Sequence, residues 1–267
     1  VIFGYTFVVR RFQRFLRGLQ LPLRVAHLSD LHIGFFIRGG SLRRWVEATL
    51  AERPDLVVIT GDLTDGGPEW VQPFLSGLGR LQAPLGVWVV WGNHDYRYSG
   101  YQPLQPGPAA SPFNPPRVPM RPPLELEQRL EKLGLRFLHN AGQQLRPDLY
   151  LAGVEDLWHG QPDIAQALQG RLEGPACLLL CHNPDFLYQV PPTVDLTLCG
   201  HTHGGQVVLP WYGPTFTSSR YGQKFAGGWV DDPAPAYISR GLGVSTLPLR
   251  VACPAELVIH EFWPQGA

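Results

Sequence analysis

The sequence predicts an α/β protein built around a mostly parallel, buried sheet. Apolar runs of strand length recur along the chain, and helix-spaced segments separate the first three of them. Five of these runs end in a short polar cluster: Asp30-Leu31-His32, Gly61-Asp62, Gly92-Asn93-His94-Asp95, His182-Asn183 and Gly200-His201-Thr202-His203. Alternating strand and helix is the rhythm of parallel sheets covered on both faces. Their ligands collect where the carboxyl ends of the strands meet the following loops.

Taken in order, residues 24–29 read as a strand entering the first cluster. Residues 42–51 have helical spacing, with Leu42, Trp45, Val46 and Leu50 on one face. Residues 55–60 hold the continuous apolar run Leu56-Val57-Val58-Ile59, residues 74–81 read as a short helix, and 87–91 as the next strand. From 98 to 123 the pattern gives way to a Pro-rich insertion that neither a helix nor a central strand tolerates. A surface loop and a lid or substrate wall both remain open for it. Residues 124–133 are an amphipathic helix, and 149–154 are a strand ending at Glu155-Asp156. Residues 177–181 run into His182, and 194–199 run into Gly200-His201. Beyond Gly205, residues 206–209, 236–239 and 256–260 read as antiparallel strands between Gly- and Pro-rich turns.

The 267 residues are expected to form one domain, 1–267, with a basic and aromatic segment at 1–23 and the insertion at 98–123. Hydrophobic content of 44% and charged content of 16% fit a folded globular chain, not a disordered one. A formal net charge of zero gives no reason to expect a nucleic-acid partner. Cys177, Cys181, Cys199 and Cys253 form no Cys-x-x-Cys pair, which argues against a structural zinc or redox motif and for small buried hydrophobes. Such cysteines fit a cytoplasmic location. No run of 18 apolar residues is present to span a bilayer. The chain starts at Val1, so an upstream signal or anchor is left open. Arg10, Arg11, Arg14 and Arg17 interleave with Phe12, Phe15, Leu16 and Leu19. That pattern suits a terminal strand or helix packed on the domain, or a peripheral contact of residues 1–20 with an anionic membrane.

The clusters carry the chemistry. Asp30, Asp62, Asn93, His32, His182, His201 and His203 are the oxygen and nitrogen donors that hold two divalent metals side by side. Five of the nine histidines fall in these clusters, whereas histidines buried for packing alone would scatter. Asp30 and His32 lie two apart past a strand end and can reach one ion. Asp62 ends a neighbouring strand, where one carboxylate can bridge two ions. Seven donors with one bridging give four protein contacts per metal and leave positions for water, the mark of a catalytic site. His27 reads as a packed core histidine. Glycines 204 and 205 suit a tight turn. Arg220, Arg240 and His159 are candidates for gripping a phosphate or a second substrate group.

The ordered pattern D-x-H, G-D-x-x-D, G-N-H-D, H, G-H-x-H resembles the calcineurin-like metallophosphoesterase superfamily. The strings Ser-Asp-Leu-His-Ile-Gly (29–34), Gly-Asp-Leu-Thr-Asp-Gly (61–66), Gly-His-Thr-His-Gly-Gly-Gln (200–206) and Ser-Arg-Gly-Leu-Gly (239–243) resemble its bacterial YkuE/YaeI-type branch. The resemblance implies a four-layer α/β/β/α sandwich of two mixed sheets around a dinuclear metal site. It implies one metal on Asp30, His32, Asp62 and His203, and the other on Asp62, Asn93, His182 and His201. The metals would be Mn²⁺ first, with Fe or Zn²⁺ as alternatives. A hydroxide bridging them would attack phosphorus in line. His94 would protonate the leaving oxygen or stabilise its charge, oriented by Asp65 or, failing that, Asp95. The implied activity is metal-dependent hydrolysis of a phosphodiester or pyrophosphate bond. A lipid-linked or nucleotide-diphosphate substrate such as UDP-diacylglucosamine leads; cyclic nucleotides and other small diesters are the close rival. A nuclease ranks third, and a non-catalytic scaffold is disfavoured because no ligand is missing. The expected location is cytoplasmic or peripheral to a membrane.

Overall fold

The computed structural model describes residues 6–98, 100, 104 and 118–266. Most of the Pro-rich insertion, and with it the choice between surface loop and lid, lies outside the described residues. Two six-stranded sheets face each other. The first runs Phe7–Leu16, Ala255–Pro264, Leu23–Leu28, Leu56–Thr60, Val87–Val90, Leu135–Phe137 from edge to edge. The second runs Gly228–Val230, Ala236–Ile238, Leu196–Cys199, Ala176–Leu180, Leu149–Gly153, Ala141–Arg146. Both sheets are mixed. Their central strands are parallel, while Ala255–Pro264 opposes Leu23–Leu28, Gly228–Val230 opposes Ala236–Ile238, and Ala141–Arg146 opposes Leu149–Gly153.

Strand alternation sorts the side chains into three apolar layers. Val25, Leu56, Val58 and Val90 of the first sheet meet Leu151, Leu178, Leu180 and Leu198 of the second. Ala26, Leu28, Val57, Ile59 and Val89 point the other way, under Leu42, Trp45 and Val46 of helix Gly39–Ala51 and Leu126 and Leu130 of helix Leu124–Glu131. Ala152, Cys177, Leu179 and Cys199 face outward from the second sheet, beneath Phe186, Leu187 and Phe225 on short helical turns. Strands buried on both faces have no polar side to show, which is why they read as unbroken apolar runs. The result is the expected α/β/β/α sandwich. All four cysteines are buried and free.

Three expectations need correction. The strands beyond Gly205 are not uniformly antiparallel: Ala236–Ile238 runs parallel to Leu196–Cys199, and Ala255–Pro264 runs parallel to Phe7–Leu16. Alternation reports which face of a strand is buried; it does not report which strand lies beside it. In place of a strand over 206–209, Val208–Leu209 pairs with Gly213–Pro214 in a short hairpin, and Val207 makes an isolated bridge to Val251. The 74–81 helix shrinks to Leu75–Leu78 behind a 3₁₀ turn at Gln72–Phe74. Pro73, Gly77 within the helix and Gly79 just after it shorten it.

Of the N-terminal segment, Phe7–Leu16 is an edge strand. The segment's arginines are paired: Arg10 with Glu256 at 2.7 Å, Arg14 with Asp231 at 2.8 Å, Arg17 with Asp195 at 3.0 Å, and Arg11 with Glu52. Phe12 packs on Trp229 and Tyr237.

Candidate metal centre

The polar clusters fall in loops at the carboxyl ends of the central strands of both sheets, at one end of the sandwich. Sharp backbone turns aim them inward. Asp30 (φ 52°), His32 (46°), Asp62 (52°), His201 (75°) and His203 (51°) all adopt the left-handed region. Each such non-glycine residue costs about 1–3 kcal/mol and persists only where its surroundings fix it. Cross-bracing between the loops does so: Asp30 N–H donates to Gly61 O (3.0 Å), His32 N–H to Asp62 O (3.0 Å), Gly200 N–H to His182 O (3.0 Å) and Gly243 N–H to Asp30 O (2.7 Å). Gly200 is required by space, since a Cβ there would lie 1.8 Å from Ser29 Oγ and 2.5 Å from Asp30 Oδ2.

The side chains converge on Asp62. Its Oδ1 accepts the His94 amide at 2.9 Å. Its Oδ2 lies 3.5 Å from His32 Nε2 and 3.3 Å from His182 Nε2. His203 Nε2 is 3.0 Å from His32 Nε2 and 3.4 Å from Asp30 Oδ1, and His201 Nδ1 is 3.2 Å from His182 Nε2. Three groups of mutually close ligand atoms result: Asp30, His32, Asp62, His203 and Asp62, His182, His201, with Asp62 common to both, and beside them His32, Asp65, His94. Asn93 lines a cavity that also holds Asp62, His201 and His203, and its Oδ1 is buried without a hydrogen-bond partner among the described residues.

Burial and charge set the protonation states. Burial, with help from the Asp62 carboxylate, pushes Asp30 up to about 6. Burial, aided by His94, holds His32 down to about 4, and burial also keeps His201 and His203 well below the ordinary histidine range. Burial opposes ionisation of Asp62 too, but His182, His94 and His32 outweigh it and hold the carboxyl well below its usual range. His182 moves upward in return, because Asp62 overcomes the burial of its ring. Beside the centre, His94 Nδ1 meets Asp65 Oδ1 at 3.1 Å. Burial opposes the His94 imidazolium, but Asp62 and Asp65 raise its pKa overall.

The residues 23–205 match the profile of the Calcineurin-like phosphoesterase family. The chain belongs to that family. It is a metal-dependent phosphoester hydrolase with a centre for two divalent cations. Among curated proteins it is similar to the uncharacterized metallophosphoesterase YkuE of Bacillus subtilis, 29% identical over 88% of this chain and 77% of that protein. It also resembles a Danio rerio "Transmembrane protein with metallophosphoesterase domain", 30% identical over 93% of this chain and 54% of that one. A Helicobacter pylori uncharacterized metallophosphoesterase is 29% identical over 94% of this chain and 63% of its own length. Among the described residues, no helix is long and apolar enough to cross a membrane.

The donors of this calcineurin-like phosphoesterase suit such a pair of ions. Imidazole nitrogens that face each other at 3.0 and 3.2 Å, beside carboxylates and an unpartnered amide oxygen, are brought together more favourably by a shared cation than by one another. Their outer atoms are held as well. His182 Nδ1 donates to Thr60 O at 2.7 Å, and the His201 amide donates to Asp30 Oδ1 at 3.0 Å. Asp95 takes a different part from Asp65: it accepts the Gly92 and Thr64 amides, each at 2.9 Å, and so clamps two of the loops together.

A cavity of about 270 Å³ opens over Asp62, Asn93, His94, His201 and His203. Trp158, Val207, Phe216 and Leu247 are among its other lining residues. Trp158 meets His201 edge-on, with ring centroids 4.5 Å apart. Its place two residues beyond the strand-end Glu155-Asp156 was the available signal for it. Arg250, also unforeseen, is buried and donates to the backbone oxygens of His203 (3.1 Å), Arg240 (2.7 Å) and Gly243 (2.7 Å). Most of its partners are main-chain atoms, joined by His203 Nδ1 at 3.3 Å and Cys253 Sγ at 3.9 Å, so the sequence carried little to announce it. The three candidate phosphate-gripping residues lie off this cavity. Arg220 is 60% exposed beside Asp185, Arg240's stem packs against Gly204 and Gly227, and His159 is buried with Nδ1 on Val118 O.

Proposed function

We propose that the chain hydrolyses a phosphodiester or pyrophosphate bond, with one cation on Asp30, His32, Asp62 and His203 and the other on Asp62, Asn93, His182 and His201. The observation that carries this is the position of Asp62 Oδ2, which lies between His32 Nε2 at 3.5 Å and His182 Nε2 at 3.3 Å. Cations held by these residues would supply a hydroxide near neutral pH and charge to offset that of the phosphoryl oxygens. The protein's own groups do the rest. His94 commits Nδ1 to Asp65, so Nε2 is its free atom for donating a proton to the leaving oxygen. Trp158 and Phe216 narrow the cavity above the centre and reduce the water around the reacting groups. Mn²⁺ is the ion of choice among several that this donor set accepts, Fe and Zn²⁺ included.

For substrate, a lipid-linked or nucleotide-diphosphate compound such as UDP-diacylglucosamine is favoured over a cyclic nucleotide or small diester. The support is the apolar rim: Phe216 and Leu247 are 75% and 54% exposed, and Trp211 and Tyr212 stand free on the adjoining hairpin. The paired arginines Arg10, Arg14 and Arg17 give less support to membrane contact through residues 1–20. A cytoplasmic position at a membrane surface fits the rim. The test loads the protein with Mn²⁺ and offers bis-p-nitrophenyl phosphate, UDP-diacylglucosamine and a cyclic nucleotide in parallel. Turnover of the amphiphile well above the others supports the reading; preference for the cyclic nucleotide moves it to the rival. No bound metal and no turnover of any ester would favour a scaffold.

A further inference from the structure

Beneath the metal centre lies a run of polar side chains in the otherwise apolar space between the sheets. His260 Nε2 is 3.5 Å from His27 Nδ1, and His27 Nε2 is 2.8 Å from Thr60 Oγ1. Thr60 Oγ1 is 2.9 Å from Ser29 Oγ, which in turn meets Asp30 Oδ2. Every one of these residues is fully buried. An ionised carboxylate only accepts, so Ser29 must donate to Asp30. Ser29 then accepts from Thr60, Thr60 accepts from His27 Nε2–H, and His27 Nδ1 accepts from His260 Nε2–H. This order leaves His260 Nδ1 as a lone-pair atom with no donor, and that atom is indeed buried without a partner among the described residues. It also needs both rings neutral. Burial keeps them so, lowering His27 to about 3 and His260 well below the usual range. The same Thr60 accepts the His182 Nδ1–H through its carbonyl at 2.7 Å, which leaves His182 Nε2 to face the centre.

We propose that Thr60 is a positioning residue that joins one ligand from each cation site, Asp30 and His182, to a one-directional hydrogen-bond chain running from His260 through His27 and Ser29. The proposal rests on the ligand assignment given above. His27 thus does more than fill the core. Its N–H fixes the Thr60 hydroxyl, and that hydroxyl fixes Ser29 and the rotamer of Asp30. A hydrogen-bonded chain ending on an anion is polarised along its length, so a break far from the ions is felt at Asp30.

The test measures Mn²⁺ affinity and stoichiometry by titration, together with the unfolding midpoint of the chelator-treated protein. Thr60→Val removes the hydroxyl at nearly constant shape and keeps the carbonyl. It should weaken Mn²⁺ binding about 10–100-fold, the usual cost of losing a partner behind a metal ligand. Thr60→Ser, which restores the hydroxyl, should recover most of the affinity. His27→Leu should weaken binding in the same direction, and the Thr60→Val/His27→Leu double variant should be little worse than Thr60→Val alone, because both break one chain. Wild-type Mn²⁺ affinity in Thr60→Val, with only a lowered unfolding midpoint, would overturn the proposal and leave a structural threonine. Should Thr60→Val not fold, His27→Leu decides by the same criterion. A wild-type protein that binds fewer than two Mn²⁺ would remove the ligand assignment itself, a failure distinct from two tight ions indifferent to Thr60.

Discussion

Replacing Asp65 by asparagine keeps the shape of the residue and removes the charge that faces His94. The two groups are 3.1 Å apart, with side chains 21% and 39% exposed. A charge-assisted hydrogen bond is worth about 1.5–3 kcal/mol, and this much exposure screens it to about 1–2 kcal/mol. If the His94 imidazolium acts in the transition state, Asp65→Asn lowers kcat about 5–30-fold. His94→Ala, which removes the acid outright, lowers it about 100–10,000-fold. The loss should depend on the leaving group: large for an alkyl phosphodiester, whose alkoxide needs a proton, and small for a p-nitrophenyl ester, whose phenolate does not. The pH profile gives the sign. Against burial, Asp62 and Asp65 raise His94 above 6.5, so the acid stays protonated to a higher pH and turnover falls as pH climbs through that raised value. Bound cations compensate the charge of Asp62 but not that of Asp65, so Asp65→Asn moves the falling limb to lower pH. Steady-state kcat on the two esters across pH reads both effects. Equal losses on both esters, an unmoved limb, or loss of a metal from either variant would refute the role given to His94.

Other outcomes follow from the same geometry. Gly200→Ala places a methyl 1.8 Å from Ser29 Oγ and 2.5 Å from Asp30 Oδ2, so Asp30 must move; elemental analysis should find less than the wild-type metal content in the folded variant. Asp95→Ala leaves the buried Gly92 and Thr64 amides without their 2.9 Å acceptor. It should cost about 1–3 kcal/mol per orphaned group, seen in urea unfolding of the metal-free protein. His27 is depressed from 6.5 to about 3 by burial, so the unfolded chain binds its proton first as pH falls. That contribution is whole above pH 6.5 and drains away between 6.5 and about 3. It amounts to a few kcal/mol, roughly, and His27→Leu should flatten that part of the stability curve relative to wild type.

What the sequence revealed and what it hid have physical causes. Leu56–Thr60 and Ala176–Leu180 are buried on both faces, so composition alone marks them, and the polar residue that ends each run stands out. That contrast made the residues of the candidate metal centre visible. Ala141–Arg146 escaped notice because it is a half-buried edge strand of polar residues. Phe7–Leu16 was ambiguous for the same reason, since an edge strand with paired arginines carries a mixed pattern that a helix or a membrane-surface segment could also show. The cavity walls were beyond reach. Phe216 and Leu247 belong to loops whose positions depend on backbone contacts such as Val208 N–H to Val251 O at 3.0 Å, and Arg250 is bound mostly to carbonyls, which no residue pattern marks. The histidine pair His27 and His260 was half legible. Burial was foreseeable for His27 on its strand, but its link to Asp30 needed the fold.

The central assertion is that two cations sit within bonding reach of one aspartate. Electron paramagnetic resonance of the protein loaded with two equivalents of Mn²⁺ tests it most directly. A shared Asp62 requires a spin-coupled pair, collapsing to the signal of isolated ions in Asp62→Asn. Two uncoupled Mn²⁺ signals in the wild-type protein, or a single ion per chain, would contradict it.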